Sequence, residues 1–348
     1  MRFSVMIWPY SGQTIEPVVR LAQCAEAGGF ETVYIGDSQM LWNDVYMCLA
    51  CCAQATRRVK LGPGVTNLVT RHPTVTANAM VSLNMLSQGR AVLGIGAGDS
   101  AVRTAGLSPA KRDQLRRDVV FIRNLLSGQE VEAPAVSSLG QKKTWGQELR
   151  LRVAGAEAWG KVPIEVAIMS PRAAALIGEI GDGVIVDGHM GGNGEGARVA
   201  VEAAGEGARK AGKDPAQLRF IAAIDAAIDD DRSVALDQVR PTAARNIANK
   251  LWLPDTLGLE HADVVKAVTE SYRFSEHLDL TAKHRELIPD VVARKCTIAG
   301  TPQDCIDKVY ELKAAGLTDI AIFVTTQNEA VARTTIERFA KEVIPSVR

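Results

Sequence analysis

The chain alternates short, continuous apolar runs with longer segments whose apolar residues recur at helical spacing. Residues 3–7 form the first apolar run, and residues 15–27 form the first amphipathic segment, which ends at Gly28 and Gly29. Continuous apolar runs are typical of parallel strands that are covered on both faces. The pattern predicts eight strands, each followed by a helix, at about residues 3–7, 32–35, 59–66, 91–95, 164–168, 183–186, 218–228 and 319–324.

Eight strand–helix units predict an α/β protein built as a (β/α)8 TIM barrel, because a doubly wound sheet usually has about five or six strands per domain. The alternation is interrupted twice, at about residues 129–160 after the fourth strand and at about 229–300 after the seventh. We therefore predict a single barrel domain over residues 1–348 with two insertions. Two open-sheet domains remain the alternative, although no low-complexity linker divides the chain.

Length and charge narrow the class of protein further. A barrel of this kind needs roughly 250 residues, so the 348 residues leave about 100 for the insertions. Lys plus Arg and Asp plus Glu each number 40, and this zero net charge argues against a protein that binds nucleic acid through a basic surface. No apolar run is long enough to span a membrane, and the first is too short for a secretory signal, so we expect a cytoplasmic protein without a membrane partner.

Three of the six cysteines lie close together, at Cys48, Cys51 and Cys52. On a helix they would share a face that a metal ion could use, yet the surrounding stretch is apolar and no further Cys or His pair has zinc-site spacing. We therefore favour buried cysteines and predict no metal site.

The carboxyl ends of the strands are where a barrel of this type carries out its chemistry. Nearly every predicted strand ends in polar residues or glycine, as a ligand site requires. The candidates, in chain order, are Asp37, Ser38, Trp42, Thr66, Asn67, Gly96, Gly98, Asp99, Ser170, Pro171, Asp187, Gly188 and His189.

Two carboxylates among these candidates follow different strands. Asp37 and Asp99 would act as an acid–base pair if a dry pocket separated their pKa values, and they would be structural if each capped a helix or formed an ion pair. His72, directly before Pro73, is a candidate proton carrier, but a helix cap is the simpler interpretation.

Two segments could approach a phosphate. Residues 94–99 are similar to a dinucleotide fingerprint, but Asp99 occupies the position of its third glycine and would repel a pyrophosphate. A glycine-rich strand end that lets a flat ligand approach the backbone is the better interpretation. Ser170 and Pro171 open a predicted helix, whose free N–H groups could bind a phosphate or simply be capped by the serine.

Several stretches of the sequence are specific to a known family only in combination, because each stretch alone is a weak signal. They are Asp37 with Trp42, residues 64–73, residues 86–99, Ser170 with Pro171, residues 178–183, residues 300–304 and residues 315–320. This combination, which spans nearly the whole chain, resembles the bacterial luciferase-like superfamily of flavin- and F420-dependent oxidoreductases. Within it, the sequence is most similar to the methylenetetrahydromethanopterin reductase-like branch.

The resemblance implies a TIM barrel that binds a reduced flavin, either FMN or coenzyme F420, across the carboxyl ends of its strands. It also implies a cis peptide between Gly64 and Val65, a phosphate held at Ser170, and a homodimer. Asp37 and Asp99 would line the ring and the substrate, and Trp42 would form a wall of the pocket, so these three are the catalytic candidates. The implied cofactor-binding residues are Gly64, Val65, Thr66, Asn67, Gly96, Gly98, Ser170, Pro171 and Gly188.

One departure from the family pattern bears on the chemistry. The F420-dependent branch commonly has His directly after the Asp of the second strand, where this chain has Ser38. We therefore favour a monooxygenase that uses reduced FMN and O2 on a small organic substrate, with a separate flavin reductase as a partner. An F420-dependent hydride-transfer reductase or dehydrogenase is the first alternative, and a flavin-binding protein without catalysis is the second. An aldolase-type barrel is disfavoured, because no lysine at a predicted strand end could carry a Schiff base.

Overall fold

A computed structural model describes residues 1–10, 14–132, 148–153, 156–187, 192–248, 259–273, 276, 279, 281–295 and 297–347. The strands, in chain order, are β1 (Arg2–Trp8), β2 (Thr32–Ile35), β3 (Lys60–Pro63), β4 (Thr66–Asn67), β5 (Leu93–Gly96), β6 (Val131–Glu132), β7 (Glu148–Leu149), β8 (Ile164–Ile168), β9 (Gly183–Asp187), β10 (Arg219–Ile228), β11 (Ile298–Gly300) and β12 (Asp319–Thr325). The α-helices are α1 (Glu16–Ala27), α2 (Val45–Ala55), α3 (Pro73–Leu86), α4 (Ser100–Arg103), α5 (Arg112–Leu126), α6 (Pro171–Ile180), α7 (Gly194–Lys210), α8 (Arg232–Ala248), α9 (Ala262–Ser271), α10 (Asp290–Lys295), α11 (Pro302–Ala314), α12 (Glu329–Arg338) and α13 (Ile344–Val347). In the described ranges, no helix is both long enough and apolar enough to cross a lipid bilayer.

The main sheet is a barrel of parallel strands. Neighbouring strands pair in the order β3, β2, β1, β12, β10, β9, β8, β5 and β4. The ring closes beside β3, where Leu61 and Ala91 form a parallel bridge and the Val92 N–H donates to the Leu61 carbonyl at 2.9 Å. Because β3 and β4 are two parts of one interrupted strand, the barrel has eight strands, and the predicted TIM barrel is confirmed.

The strands are continuously apolar because each has one face toward the helices and one toward the barrel interior. In β1, Phe3, Val5 and Ile7 belong to the core shared with the outer helices, where α1 contributes the fully buried Leu21. Met6 belongs instead to the cluster that fills the inside of the barrel. The period of two along each strand therefore decides which side chains reach the interior.

An ionic cluster fills the amino-terminal end of the barrel interior. Arg219 donates to Glu165 at 2.7 Å and to Asp319 at 2.5 Å, and the Tyr34 hydroxyl donates to the second oxygen of Glu165 at 2.5 Å. Burial raises the pKa of Glu165. Burial opposes the ionisation of Asp319 as well, but the hydrogen bonds and charge of Arg219 outweigh it and hold the pKa of Asp319 below its ordinary value. The cluster thus joins four barrel strands through buried charges.

The described part of the second predicted insertion is mostly helical. It supplies α8, α9 and α10, which pack around a separate apolar cluster that includes Leu236, Val239, Val268 and Val292. β11 then returns the chain to the barrel by pairing with the end of β10. Of the first insertion, the structure describes the paired β6 and β7 and a 3-10 turn over Ala156–Trp159.

Two local expectations differ from the structure. The amphipathic spacing of residues 109–126 predicts a helix over that range, but the helix begins at Arg112, and the polar residues before it contain the short α4. The third strand, expected over residues 59–66, is divided by the peptide between Gly64 and Val65, which is cis as the family resemblance implied. Both differences lie at the carboxyl ends of strands, where the glycine-rich sequence does not carry a periodic pattern.

Replacing Arg219 by methionine removes the cation of the buried cluster and keeps much of the side-chain volume. We expect Arg219→Met to lower the free energy of unfolding by about 3–5 kcal/mol, because Glu165 would stay buried without its ion-pair partner and Asp319 would keep only Arg2, at 2.7 Å. Urea denaturation followed by circular dichroism measures the change. Arg198→Met, which breaks an exposed pair with Glu202, is the matched control and should cost less than about 1 kcal/mol. Equal losses in the two variants would contradict the role given to the cluster.

Candidate active site

A cleft of about 580 Å³ opens at the carboxyl ends of the barrel strands, beside β4, β5 and β8. Most of the predicted site residues line this cleft, although they come from separate parts of the chain. They are Asp37, Trp42, Gly64, Val65, Thr66, Asn67, Gly96, Gly98, Asp99, Ser170 and Asp187. Pro171 is the exposed first residue of α6 beside the cleft, and Gly188 with His189 lies outside the described residues.

Small residues form the floor of the cleft. A Cβ atom on Gly96 would lie 3.2 Å from a Val65 methyl carbon and 3.5 Å from the Cβ of Ala167. Gly98 has a φ of +98°, and a Cβ there would lie 2.3 Å from Val102. Close packing and the positive φ therefore require glycine at position 98, whereas a Cβ at position 96 would press tightly against Val65, and neither glycine presents a side chain to the cleft.

Asp37 is buried at the edge of the floor and is held by two donors. Its Oδ2 accepts a hydrogen bond from the Thr66 hydroxyl at 2.6 Å and another from the Arg71 guanidinium. Arg71 also bonds Asp44 at 3.0 Å and lies over the Tyr46 ring, with 5.1 Å from its guanidinium carbon to the ring centroid. This arrangement keeps Asp37 as a fixed, ion-paired acceptor, which is the structural interpretation left open by the sequence.

Asp99 has a different environment from Asp37. It directly precedes α4, its side chain is about half exposed, and it accepts a hydrogen bond from Arg103 at 2.8 Å. Ser38, where the family pattern has His, is buried and pairs with the hydroxyl of Ser100 at 3.1 Å. Two hydroxyl groups thus lie at this point beside the cleft, and Ser100 forms part of its lining.

An aromatic wall bounds the cleft on the β1 side. The rings of Trp8 and Trp42 are stacked with centroids 6.1 Å apart, and Trp8 also contacts Phe323 at 4.3 Å. Arg245, from the second insertion, lies over the Trp8 ring at 4.9 Å. Trp42 fits here because Gly36 has no side chain, since a Cβ there would lie 2.5 Å from the indole.

The start of α6 faces the cleft and offers a site for an anion. Ser170 is the N-cap residue, and its Oγ accepts a hydrogen bond from the Ala173 N–H at 3.3 Å. Arg112 and Arg172, which sequence reasoning missed, line the same cleft, and both are exposed. A helix N-terminus beside two cations favours a negatively charged group. Arg172 follows Pro171 directly, so the helix-start interpretation could have drawn attention to it.

Sequence reasoning also missed a buried carboxyl, Asp225 on β10. It is only 4% exposed, and no described residue donates a hydrogen bond to its Oδ2. Burial raises the pKa of Asp225 to about 6, although the charge of Arg245 opposes this shift while that of Asp187 adds to it. A single acidic residue within the long apolar run over 218–228 was the available signal.

The remaining candidates have structural roles or lie outside the described residues. His72 caps α3, with its Nδ1 accepting from the Thr74 N–H at 3.3 Å, as the simpler interpretation predicted. Cys48 and Cys52 are fully buried in α2. The sequence of the second insertion also contains His277 and His284, seven positions apart and without an evident third metal ligand; His284 is buried against Tyr272, and His277 lies outside the described residues. Across the described part of the chain, no three His, Cys, Asp or Glu residues are grouped so that they could hold a metal ion.

Comparisons with known proteins agree with this fold. The profile of the luciferase-like monooxygenase family matches residues 1–319. The 5,10-methylenetetrahydromethanopterin reductase of Archaeoglobus fulgidus is 31% identical over 331 residues, which cover 93% of this chain and 93% of that protein. The chain therefore belongs to the luciferase-like family and is an oxidoreductase.

Solved structures give the same result. The coenzyme F420-dependent tetrahydromethanopterin reductase of Methanopyrus kandleri has a TM-score of 0.81 at 25% identity, over 100% of this chain and 99% of that chain. Monooxygenase RslO1 of Streptomyces bottropensis has a TM-score of 0.71 at 20% identity over 100% of both chains, which shows a shared fold. The predicted resemblance to this family and to its methylenetetrahydromethanopterin reductase-like branch is confirmed.

The raised pKa of Asp225 gives this residue a pH-dependent effect on stability. Between its unfolded pKa near 3.8 and its folded pKa of about 6, the folded protein binds more protons than the unfolded chain, so stability falls as pH rises through this range. Above pH 6, ionised Asp225 lowers the free energy of unfolding by at most about 3 kcal/mol. We therefore expect Asp225→Asn to stabilise the protein at pH 8 and to have little effect near pH 4.

Urea denaturation at the two pH values measures this difference. Asp237→Asn is the control, because Asp237 is an exposed carboxylate that is paired with Arg240. A gain from Asp225→Asn that is the same at both pH values would contradict the shifted ionisation.

Proposed function

We propose that the protein is a coenzyme F420-dependent reductase or dehydrogenase that transfers a hydride between the deazaflavin and a small organic substrate. The observation that carries the proposal is the floor at Val65, Gly96 and Gly98, because a planar ring can approach the strand ends there without meeting a larger side chain. The choice of F420 is supported by the F420-dependent reductase of M. kandleri, which shares the fold over the whole chain.

The far end of the cleft fits the acidic tail of such a cofactor. Coenzyme F420 carries a phosphate and carboxylates on one side chain of its ring. The N–H groups at the start of α6, beside Ser170, would donate hydrogen bonds to the phosphate, and Arg112 and Arg172 would balance further negative charge. The protein needs no net positive charge for this, because the contacts are local.

The bound cofactor would supply the hydride acceptor or donor, and the side chains would position and shield the reacting groups. Asp37, fixed by Thr66 and Arg71, can accept a hydrogen bond from a ligand N–H or O–H. Trp8 and Trp42 would exclude water from one side of the ring. Asp99, being half exposed, would contact the substrate rather than the cofactor.

A monooxygenase that uses reduced FMN and O2 is the second candidate. The observation that favours it is Ser38, which is paired with Ser100 and gives the cleft no imidazole proton carrier at that position. Under this alternative a separate flavin reductase would be the partner. A homodimer remains a prediction of the sequence resemblance under either function.

Cofactor titration distinguishes the two functions. The purified protein is mixed anaerobically with F420, reduced F420, FMN and reduced FMN, and binding is followed by fluorescence and absorbance. We expect F420 to bind in the micromolar range and about tenfold or more tightly than FMN. Preferred binding of reduced FMN, with oxygen consumed in proportion to an oxidised substrate, would support the monooxygenase instead. Failure to bind any of the four would contradict both functions.

A substitution at the start of α6 tests the site of the phosphate. Ser170→Asp adds a negative charge where the helix N–H groups would hold an anion, so we expect F420 affinity to fall about tenfold or more. Ser170→Ala keeps the backbone donors and should change the affinity by no more than about threefold. Fluorescence titration of both variants, with circular dichroism to verify folding, makes the comparison. If both variants bind F420 as the original protein does, the phosphate lies elsewhere.

A further inference from the structure

A second chamber, of about 340 Å³, lies behind the aromatic wall of the cleft. It is bordered by the ends of β10 and β12 and by helices α8 and α12, and it is partly open to solvent. Trp8 lines both this chamber and the cleft, so the two spaces meet at one indole ring. The proposed cofactor site does not use this chamber.

The chamber is largely aliphatic but contains one carboxyl group with an incomplete set of hydrogen bonds. Val234, Val239, Val324 and Val331 contribute apolar surface. Asp225 also lines it, and its Oδ2 is sealed from water with no donor among the described residues. Thr242, which lines the same chamber, hydrogen-bonds this carboxyl group, so Oδ2 is the oxygen that is left without a partner.

No charged side chain among the described residues donates a hydrogen bond to the Oδ2 atom of Asp225. The positive charge of Arg245 acts on Asp225, but the Arg245 guanidinium is stacked on Trp8 and donates a hydrogen bond to Asn246. Asp187 adds negative charge nearby, and Arg285 and Asp237 line the same chamber. A buried acceptor without a donor costs free energy, which a ligand bringing an N–H or O–H group would recover.

We propose that this chamber binds the part of the substrate that carries a hydrogen-bond donor, an ammonium or a hydroxyl group on an apolar body, with Asp225 as the acceptor. The aliphatic walls select the apolar body, and the carboxylate selects against a negatively charged head group. Calling the bound molecule a substrate rests on the proposed function, whereas the binding itself does not depend on any cofactor.

Three ring compounds of similar size test the proposal without cofactor. Isothermal titration calorimetry at pH 8 compares cyclohexylamine, which is protonated there, with cyclohexanol and with cyclohexanecarboxylate. We expect the amine and the alcohol to bind, and the carboxylate to bind at least about tenfold more weakly. Asp225→Asn should remove the preference for the amine over the carboxylate. Asp237→Asn, which changes an exposed carboxylate of the same chamber, should keep it.

A second variant tests the location without altering the carboxyl group. Val234 is 44% exposed at the chamber wall, so Val234→Trp can narrow the space without disturbing the core, and it should weaken all three compounds. No binding by the original protein, a preference that survives Asp225→Asn, or full binding by Val234→Trp would overturn the proposal. The F420 and FMN titrations are independent of these measurements, so failure of the cofactor assignment and failure of the chamber give different results.

Discussion

The contact of Arg219 with Glu165 and Asp319 is the constraint on which the arrangement of the barrel depends. These charges lie inside a ring of strands where water cannot screen them, so each requires the others in place. A slip of one residue in β8, β10 or β12 would turn a charged side chain toward the apolar helix layer. The cluster therefore fixes which residues of these strands face inward along their whole length.

The ionic cluster at the amino-terminal end of the barrel determines which side chains face the interior at the carboxyl-terminal end. Following the period of two along β10 from Arg219 leads through Ile221 and Ala223 to Asp225. The same period along β8 leads from Glu165 to Ala167. The upper interior is thus divided into a half with glycine and alanine, where the cleft lies, and a half with Trp8, Phe323 and Asp225. The division places a ring-sized space next to a smaller chamber.

The elements of the barrel could be predicted from sequence because their signals are local. Apolar runs, helix caps and glycine-rich strand ends each depend on a few neighbouring residues, and a barrel brings all strand ends to one face. Side-chain partners are not local in this sense: Arg219 is 54 positions from Glu165 and 100 from Asp319, and Arg71 is 34 from Asp37. Sequence alone could therefore name Asp37 as a site residue but could not choose between an acid and an ion-paired acceptor.

Asp225 could not be assigned from sequence for a related reason. A lone carboxyl in an apolar strand is equally compatible with an ion pair and with a polar site, and its environment is completed by the second insertion. That insertion brings Arg245 over Trp8 and provides α8 as one wall of the chamber. The barrel strands thus supply the cleft floor, whereas the insertion decides what surrounds the aromatic wall. Sequence changes in the insertion can therefore alter the smaller chamber while the cleft floor keeps its close packing of glycine against Val65.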